Sequence, residues 1–186
     1  DVKAVAPSGA VFDRTKLEWL SQEHMKAMDG ARLAALARPF LERAGHDVTA
    51  LADRLPRIVD TLKERARTLV ELAATARFYF ARPDGYDPKA VAKLFTSEAG
   101  PRLDRLVHRL EGVPAFTPDA LEAAYRELTA ALGLKLVDLA QLTRLAVTGG
   151  TASPPLFDVL SILGRDETLA RLRAARTALP SRPPSA

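Results

Sequence analysis

The sequence predicts an all-α protein built from two small helical bundles in tandem. Apolar residues recur at helical spacing in one segment after another, and no run alternates polar and apolar residues for long enough to form a strand. Helix-start signals (a hydroxyl or carboxylate residue before an apolar stripe) and helix-end signals (a glycine after one) separate these segments. No repeat of fixed length recurs, so we do not expect a solenoid.

A turn-rich segment, residues 81–88, is the best boundary between the two bundles. It divides the chain into a first bundle over residues 12–82 and a second over residues 83–179. Residues 1–11 are polar and contain Gly and Pro, and we interpret them as a linker from a part of the protein that lies upstream. Residues 180–186 are expected to form a disordered tail.

Two helices are predicted at the start of the first bundle, one behind Asp13 and one capped by Asp29 and closed by Gly45. The spacing of Trp19 assigns it to packing, because aromatic residues on amphipathic helices usually belong to a core. From Ala50 to Phe80 a long apolar stripe follows. Thr68 and Glu71 form a capping box within it, which predicts that one helix ends near residues 65–67 and another begins at Thr68.

The second bundle is predicted to contain five helical segments, or six if residues 154–164 count separately. Thr117-Pro118 opens the third of them as a cap followed by a first-turn proline, and Gly133 closes it. Ser153-Pro154 is expected to open the fifth in the same way, and Asp166 to cap the sixth. The six segments cover residues 88–95, a stripe at 103–110, 118–132, a helix from about 136, 154–163 and 167–179.

Composition permits several functions and excludes others. The chain has 27 Lys and Arg against 23 Asp and Glu, a net charge of +4, which allows an RNA partner without requiring one. The absence of Cys removes disulfides, thiolate nucleophiles and Cys-based zinc sites, and fits a reducing, cytoplasmic location. No apolar run has the length of a membrane span, so we expect no membrane partner.

Motifs of catalysis and metal binding are absent from the sequence. His24, His46 and His108 lie in three different segments with no acidic residue at ligand spacing beside a second histidine. No phosphate-binding glycine loop or nucleophile elbow occurs. We therefore expect no catalytic residue, no metal and no cofactor in this chain.

Arginine accounts for most of the basic residues, and its planar fork suits recognition of phosphates and base edges. A GC-rich genome explains most of these arginines. Two positions stand apart: Arg65 lies at the predicted corner before the Thr68 cap, and Arg144 lies before the Thr148-Gly149-Gly150 break. The stretch 140–157 around Arg144 is typical of a recognition loop between two helices.

A set of short motifs in a fixed order resembles bacterial glutamyl-tRNA synthetase, downstream of its catalytic core. The residues that carry the resemblance are Phe12-Asp13, Lys16-Leu17, Trp19-Leu20, Pro39-Phe40-Leu41, Lys63 to Leu72, Tyr86-Asp87-Pro88, Leu134-Lys135-Leu136, Ala140-Gln141, Thr148-Gly149, Pro155-Leu156-Phe157 and Leu163-Gly164. The HIGH and KMSKS signatures of a class I synthetase are absent. The resemblance therefore implies that the catalytic part, with ATP and Mg²⁺, belongs upstream, so the parent protein would be a glutamate–tRNA ligase although this chain lacks its catalytic domain.

The resemblance also implies roles for individual residues. Arg65 would read the third anticodon base, a cytosine in glutamate tRNAs, and Arg144 would contact the first anticodon bases. The loop residues that would bracket the first and middle bases are Ser153, Pro154 and Leu156. Lys63 and Arg67 are candidates for contacts with phosphates.

Two positions depart from the pattern of many relatives. Leu142 stands where they have a proline, and Pro155 stands where they have a glycine, which removes an N–H from the loop. The alternative hypothesis is a helical adaptor that binds another protein through an apolar groove. In either case we expect a monomer.

Overall fold

The computed structural model describes residues 13–179, and within that range the chain forms eleven α-helices and no β-strand. The predicted all-α class is confirmed. The helices are α1 Arg14–Ala27, α2 Gly30–Arg43, α3 Leu55–Leu62, α4 Leu69–Thr75, α5 Arg77–Phe80, α6 Pro88–Leu94, α7 Ala99–Glu111, α8 Pro118–Leu132, α9 Leu136–Thr148, α10 Leu156–Leu163 and α11 Arg165–Ala178. The predicted linker 1–11 and tail 180–186 lie outside the described residues.

We refer to α1–α5 as the first group of helices and to α6–α11 as the second. Helix α2 is the centre of the first group, and its ends are set by local chemistry as predicted. The Asp29 carboxylate accepts a hydrogen bond from Arg32 N at 2.9 Å, and Gly45 adopts φ 83° beyond the last turn. The apolar face of α2 packs against α3 and α4. At Gly30 a Cβ atom would lie 2.7 Å from the Pro56 carbonyl oxygen, so the absence of a side chain allows α2 to approach α3 closely.

The long stripe from Ala50 to Phe80 contains three helices, α3, α4 and α5, where two were predicted. The capping box is confirmed, since Glu71 N donates to Thr68 Oγ1 at 3.1 Å. However, α3 ends at Leu62, earlier than the predicted residues 65–67, and a turn runs from there to the cap. Ala66 within this turn is buried, so the apolar pattern continues where helical hydrogen bonding has stopped.

Helix α1 corrects one prediction about packing. Trp19, which its helical spacing assigns to the core, is 59% exposed, and Leu17 and Leu20 beside it are exposed as well. Met25 is the buried residue of this helix. Helical spacing shows that residues share a face, but it does not show what covers that face.

The second group of helices surrounds a buried aromatic residue. Tyr125 on α8 is completely buried, and its hydroxyl donates to Thr143 Oγ1 on α9 at 3.0 Å. Burial raises the pKa of Tyr125 well above its ordinary value, so the phenol remains protonated. The predicted limits of α8 are confirmed: Thr117 Oγ1 accepts from Ala120 N, and Gly133 is left-handed at φ 64°.

Two predicted caps in this group are wrong. α10 begins at Leu156, not at Pro154, and the Ser153 hydroxyl does not cap it. α11 begins at Arg165 after Gly164, which places Asp166 inside the first turn. The carboxylate there still interacts favourably with the helix dipole. In both cases the turn before the helix is held by more distant groups, which local sequence does not reveal.

Helix α10 joins the two groups, because it packs against α8 and α11 on one side and against α3 and α5 on the other. Arg54 Nη1 donates to the carbonyl oxygens of Ile162 and Leu163 at 2.9 and 3.2 Å. These carbonyls belong to the last turn of α10 and have no partner within the helix. The boundary predicted at residues 81–88 stays a prediction.

Candidate nucleic-acid interface

A cleft of about 510 Å³ lies between α3 and α10, at the junction of the two groups of helices. It brings the predicted corner, with Arg65, opposite the predicted loop, with Pro155. These two features are 90 residues apart in the sequence (155 − 65). The cleft is lined by Arg57, Asp60, Thr61, Glu64, Arg65, Pro155, Asp158 and Ile162.

Arg65 lies in the turn after α3, where its backbone N–H donates to the Leu62 carbonyl at 2.9 Å. The residue is exposed, and within residues 13–179 its guanidinium makes no hydrogen bond or ion pair. An arginine held at its backbone and unpaired at its tip retains five N–H donors for a ligand. Arg65 is therefore well placed to read a group that enters the cleft.

Arg144 is placed differently, because part of its guanidinium already holds the loop. Its Nη1 donates to the carbonyl oxygens of Ser153 at 3.1 Å and Pro154 at 2.7 Å, and it also contacts the Ser153 hydroxyl. Its Nε is buried with no hydrogen-bond partner in the described part of the chain. Arg144 thus fixes the shape of the loop by bonding to its backbone.

Arg65 and Arg144 interact electrostatically. Burial lowers the pKa of Arg144, and the positive charge of Arg65 lowers it further. Within residues 13–179 neither arginine forms an ion pair with a carboxylate. An anionic or electron-rich ligand between them would reduce their mutual repulsion.

The loop residues that the sequence singled out are largely covered. Ser153 is 7% exposed and Leu156 is 4% exposed, and Pro154 is buried as well. The surface that the loop offers is formed by Thr151, Ala152 and Pro155, which are exposed. Direct contacts from Ser153, Pro154 and Leu156 to a ligand stay a prediction, and in this conformation these residues support the loop.

The two candidate phosphate contacts also differ. Lys63 is engaged within the protein, because its ammonium pairs with Asp60 at 2.8 Å and donates to the Met28 carbonyl at 3.1 Å. Arg67 is exposed, and its guanidinium makes no hydrogen bond or ion pair in the described range. Arg67 is therefore the better placed of the two for a phosphate.

Acidic residues in the cleft were not predicted. Asp60, Glu64 and Asp158 line it together with Arg57 and Arg65. Carboxylates disfavour a phosphate but accept hydrogen bonds from amino groups, so a mixed lining suits the edge of a base better than the backbone of a nucleic acid. The spacing of Arg57 and Thr61, four residues apart on α3, is a signal that could have identified this helix face.

Other kinds of site find no support in residues 13–179. No group of three His, Cys, Asp or Glu side chains there is arranged to hold a metal ion. His46 has a structural role, since its Nε2 lies 2.9 Å from the Ala73 carbonyl oxygen and its ring stacks on Phe80. None of the described helices is both long enough and apolar enough to cross a membrane.

Residues 32–176 match a protein-family model described as an anticodon binding domain. The match covers most of the chain, and the protein belongs to this family. A tRNA anticodon is a single-stranded loop, the form of RNA whose base edges proteins can read. The cleft is lined by Arg57 and Arg65 together with carboxylates, so it has both donors and acceptors for base edges.

Among individual proteins, the chain is similar to glutamate–tRNA ligases. The chain is 41% identical over 174 residues to glutamate–tRNA ligases of Geotalea uraniireducens and Geobacter sulfurreducens, and 42% identical over 171 residues to that of Acidovorax sp.. These matches cover 90% to 94% of this chain but 36% to 37% of the relatives. The chain therefore spans little more than a third of the length of these proteins.

Solved structures agree on the fold. The crystal structure of a glutamate tRNA ligase from Elizabethkingia meningosepticum superposes with a TM-score of 0.86, at 23% identity, over 97% of this chain and 35% of that one. The glutamate–tRNA synthetase of Elizabethkingia anophelis gives a TM-score of 0.81 at 22% identity, over 95% of this chain and 34% of that one. At this level of identity the similarity establishes the fold alone.

Proposed function

We propose that this chain binds the anticodon of a glutamate tRNA, as the anticodon-binding region of a glutamate–tRNA ligase. The observation that carries the proposal is the cleft between α3 and α10, where Arg65 from one group of helices faces the loop that Arg144 holds in the other. Membership of the anticodon-binding family and similarity to glutamate–tRNA ligases support it.

Arg65 is the residue that reads the third anticodon base in this proposal. The exposed guanidinium can donate two hydrogen bonds to the acceptor edge of a cytosine, while a carboxylate such as Glu64 can accept from its amino group. Arg144 acts on the first bases, both by its remaining donors and by holding the loop of Ser153 and Pro154. Arg67 neutralises a phosphate beside the cleft.

The remaining parts of the reaction lie elsewhere in this proposal. ATP, Mg²⁺ and the attachment of glutamate belong to a catalytic part of the parent ligase, and this chain contributes binding alone. We further propose that the ligase is cytoplasmic and that this region is monomeric. The alternative, an adaptor for another protein, is not favoured because the family match and the polar cleft both indicate RNA.

Binding of the chain to an anticodon stem-loop tests the proposal. Two RNAs are compared, one with the glutamate anticodon and one with only its third base changed from cytosine. One lost base contact should weaken binding by roughly 1 to 3 kcal/mol. The logarithm of the binding constant should fall with the logarithm of salt concentration with a slope of about −0.7 for each phosphate contacted on a single strand. Equal binding of the two RNAs, or binding that is indifferent to salt, would contradict it.

A further inference from the structure

One arginine outside the cleft is almost completely buried. Arg171 on α11 has a side chain that is 2% exposed, and it hydrogen-bonds to groups on the preceding turn of α11 and on two other helices. Its Nη1 donates to the Phe78 carbonyl at 2.5 Å and to the Val147 carbonyl at 2.8 Å, and its Nε donates to the Glu167 carboxylate at 2.7 Å. A buried charge is costly unless it is paired and hydrogen-bonded, and here Nε and Nη1 both have partners.

The two carbonyls that Arg171 contacts belong to different groups of helices. Phe78 is in α5, in the first group, and Val147 is in the last turn of α9, in the second. The last carbonyls of a helix have no partner within it and carry partial negative charge, so a cation is a favourable partner for both. One guanidinium therefore ties the ends of α5 and α9 together.

A second pair of groups strengthens this connection. Glu167, one turn before Arg171, also accepts hydrogen bonds from Arg82, which follows α5 in the chain, with Nη2 at 2.8 Å and Nε at 3.0 Å. The hydrogen bond from Arg82 holds the pKa of Glu167 below its usual range, although burial opposes this shift. The carboxylate thus stays charged at neutral pH and links Arg82 to Arg171.

Val147 is one turn beyond Arg144 on the same helix, and the recognition loop begins two residues later at Gly149. Whatever fixes the Val147 carbonyl therefore fixes the end of α9 that carries Arg144 and starts the loop. Two other arginines of the first group, Arg54 and Arg57, also donate hydrogen bonds to the second group, but both bond to α10 and not to α9. The position of Arg144 relative to the first group therefore depends on Arg171.

We propose that Arg171 is a positioning residue that sets the distance between Arg144 and Arg65, and so the spacing at which the two can contact one RNA loop. This inference rests on the proposed function for its consequence, but its structural part does not. Holding both arginines at a fixed spacing before binding reduces the ordering that the RNA must impose, which strengthens binding. Arg171 touches no ligand in this scheme and acts through α9.

The structural part can be tested without RNA. The sequence contains no cysteine, so the exposed residues Val70 on α4 and Ala152 in the loop can be changed to Cys and spin-labelled as a unique pair. Double electron–electron resonance then measures the distance between the first group of helices and the loop. We expect one narrow distribution for the parent chain, and a broader or shifted one for Arg171→Met and Arg171→Lys.

Arg173→Lys is the matched control, because Arg173 lies on the same helix but is exposed and pairs with Glu111 on α7, within the second group. It should leave the distribution unchanged. Circular dichroism establishes which variants keep their helices. Arg171→Lys keeps the charge at position 171 and can keep its pairing with Glu167, so it weakens the connection to the two carbonyls without leaving a buried charge unpaired. A parent-like distribution in any folded Arg171 variant would overturn the proposal.

The consequence for binding is tested by combining substitutions. In the parent chain, Arg65→Ala should weaken binding of the glutamate anticodon stem-loop roughly five- to a hundredfold. In the Arg171→Lys background the same substitution should cost several-fold less, because the RNA can no longer contact both arginines at once. Equal losses in the two backgrounds would refute the positioning role. If the parent chain does not bind the RNA, the proposed function fails, and the distance measurement alone decides the role of Arg171.

Discussion

Substitution of Arg65 and of Arg144 by alanine should separate RNA binding from protein stability. Arg65 is exposed, and its guanidinium makes no hydrogen bond or ion pair within residues 13–179. Its removal should therefore change the free energy of unfolding by no more than about 0.5 kcal/mol, as is usual for surface positions. Binding of the glutamate anticodon stem-loop should nevertheless weaken by about 1 to 3 kcal/mol, the value of one arginine contact to a base.

Arg144→Ala should reduce both quantities. The substitution removes the charged donor from the carbonyls of Ser153 and Pro154, and the Pro154 carbonyl keeps only the Ser153 hydroxyl at 3.0 Å. The loss corresponds to one or two hydrogen bonds from a charged group, roughly 2 to 4 kcal/mol of unfolding free energy. Binding should fall as well, because the loop then loses its fixed shape.

Urea denaturation followed by circular dichroism measures the first quantity, and fluorescence anisotropy of a labelled stem-loop measures the second. Arg105→Ala is the control for the lost charge, since Arg105 is exposed on α7, which packs on α8, α9 and α11 and not on the cleft. It should change neither quantity by more than about 0.5 kcal/mol. The reasoning is refuted if Arg144→Ala is as stable as the parent chain, or if Arg65→Ala binds the RNA no more weakly than Arg105→Ala does.

Three further substitutions test the elements that support the site. Gly149→Ala should lower the unfolding free energy by about 1 to 3 kcal/mol, because φ of Gly149 is 82° and the new Cβ would lie 2.8 Å from the Gly85 carbonyl oxygen. Gly150→Ala is the control and should not lower it, since a Cβ at Gly150 would lie in open space. Thr68→Ala should cost about 1 kcal/mol and Thr68→Ser less, if the hydroxyl cap of α4 matters; equal losses would contradict this. Glu167→Gln should make the free energy of unfolding less sensitive to acid, because hydrogen bonding lowers the pKa of Glu167 in the folded protein. The stabilisation that Glu167 provides is complete above its unfolded pKa of about 4.3, and it is lost as pH falls through the folded pKa. Denaturation at several pH values measures this, and parallel pH profiles for the variant and the parent chain would refute it.

The sequence predicted each of the two sides of the cleft separately. The capping box at Thr68 located the corner that carries Arg65, and the Thr148-Gly149-Gly150 break located the loop beside Arg144. What the sequence did not indicate was how each arginine is used. Arg144 donates hydrogen bonds to the loop, and Lys63 forms an ion pair with Asp60. These interactions depend on partners that only the folded chain brings close.

By itself the sequence determined the helical class, the resemblance to glutamate–tRNA ligases and the limits of those helices that have local caps. Caps at Asp29, Thr68 and Thr117 were readable because a cap is made by atoms three residues apart in the chain. The tertiary structure alone decided that Trp19 is exposed and that Arg171 joins the two groups of helices. The carbonyls that hold Arg171 are 24 and 93 residues away, and contacts over such distances leave no periodic pattern in the sequence.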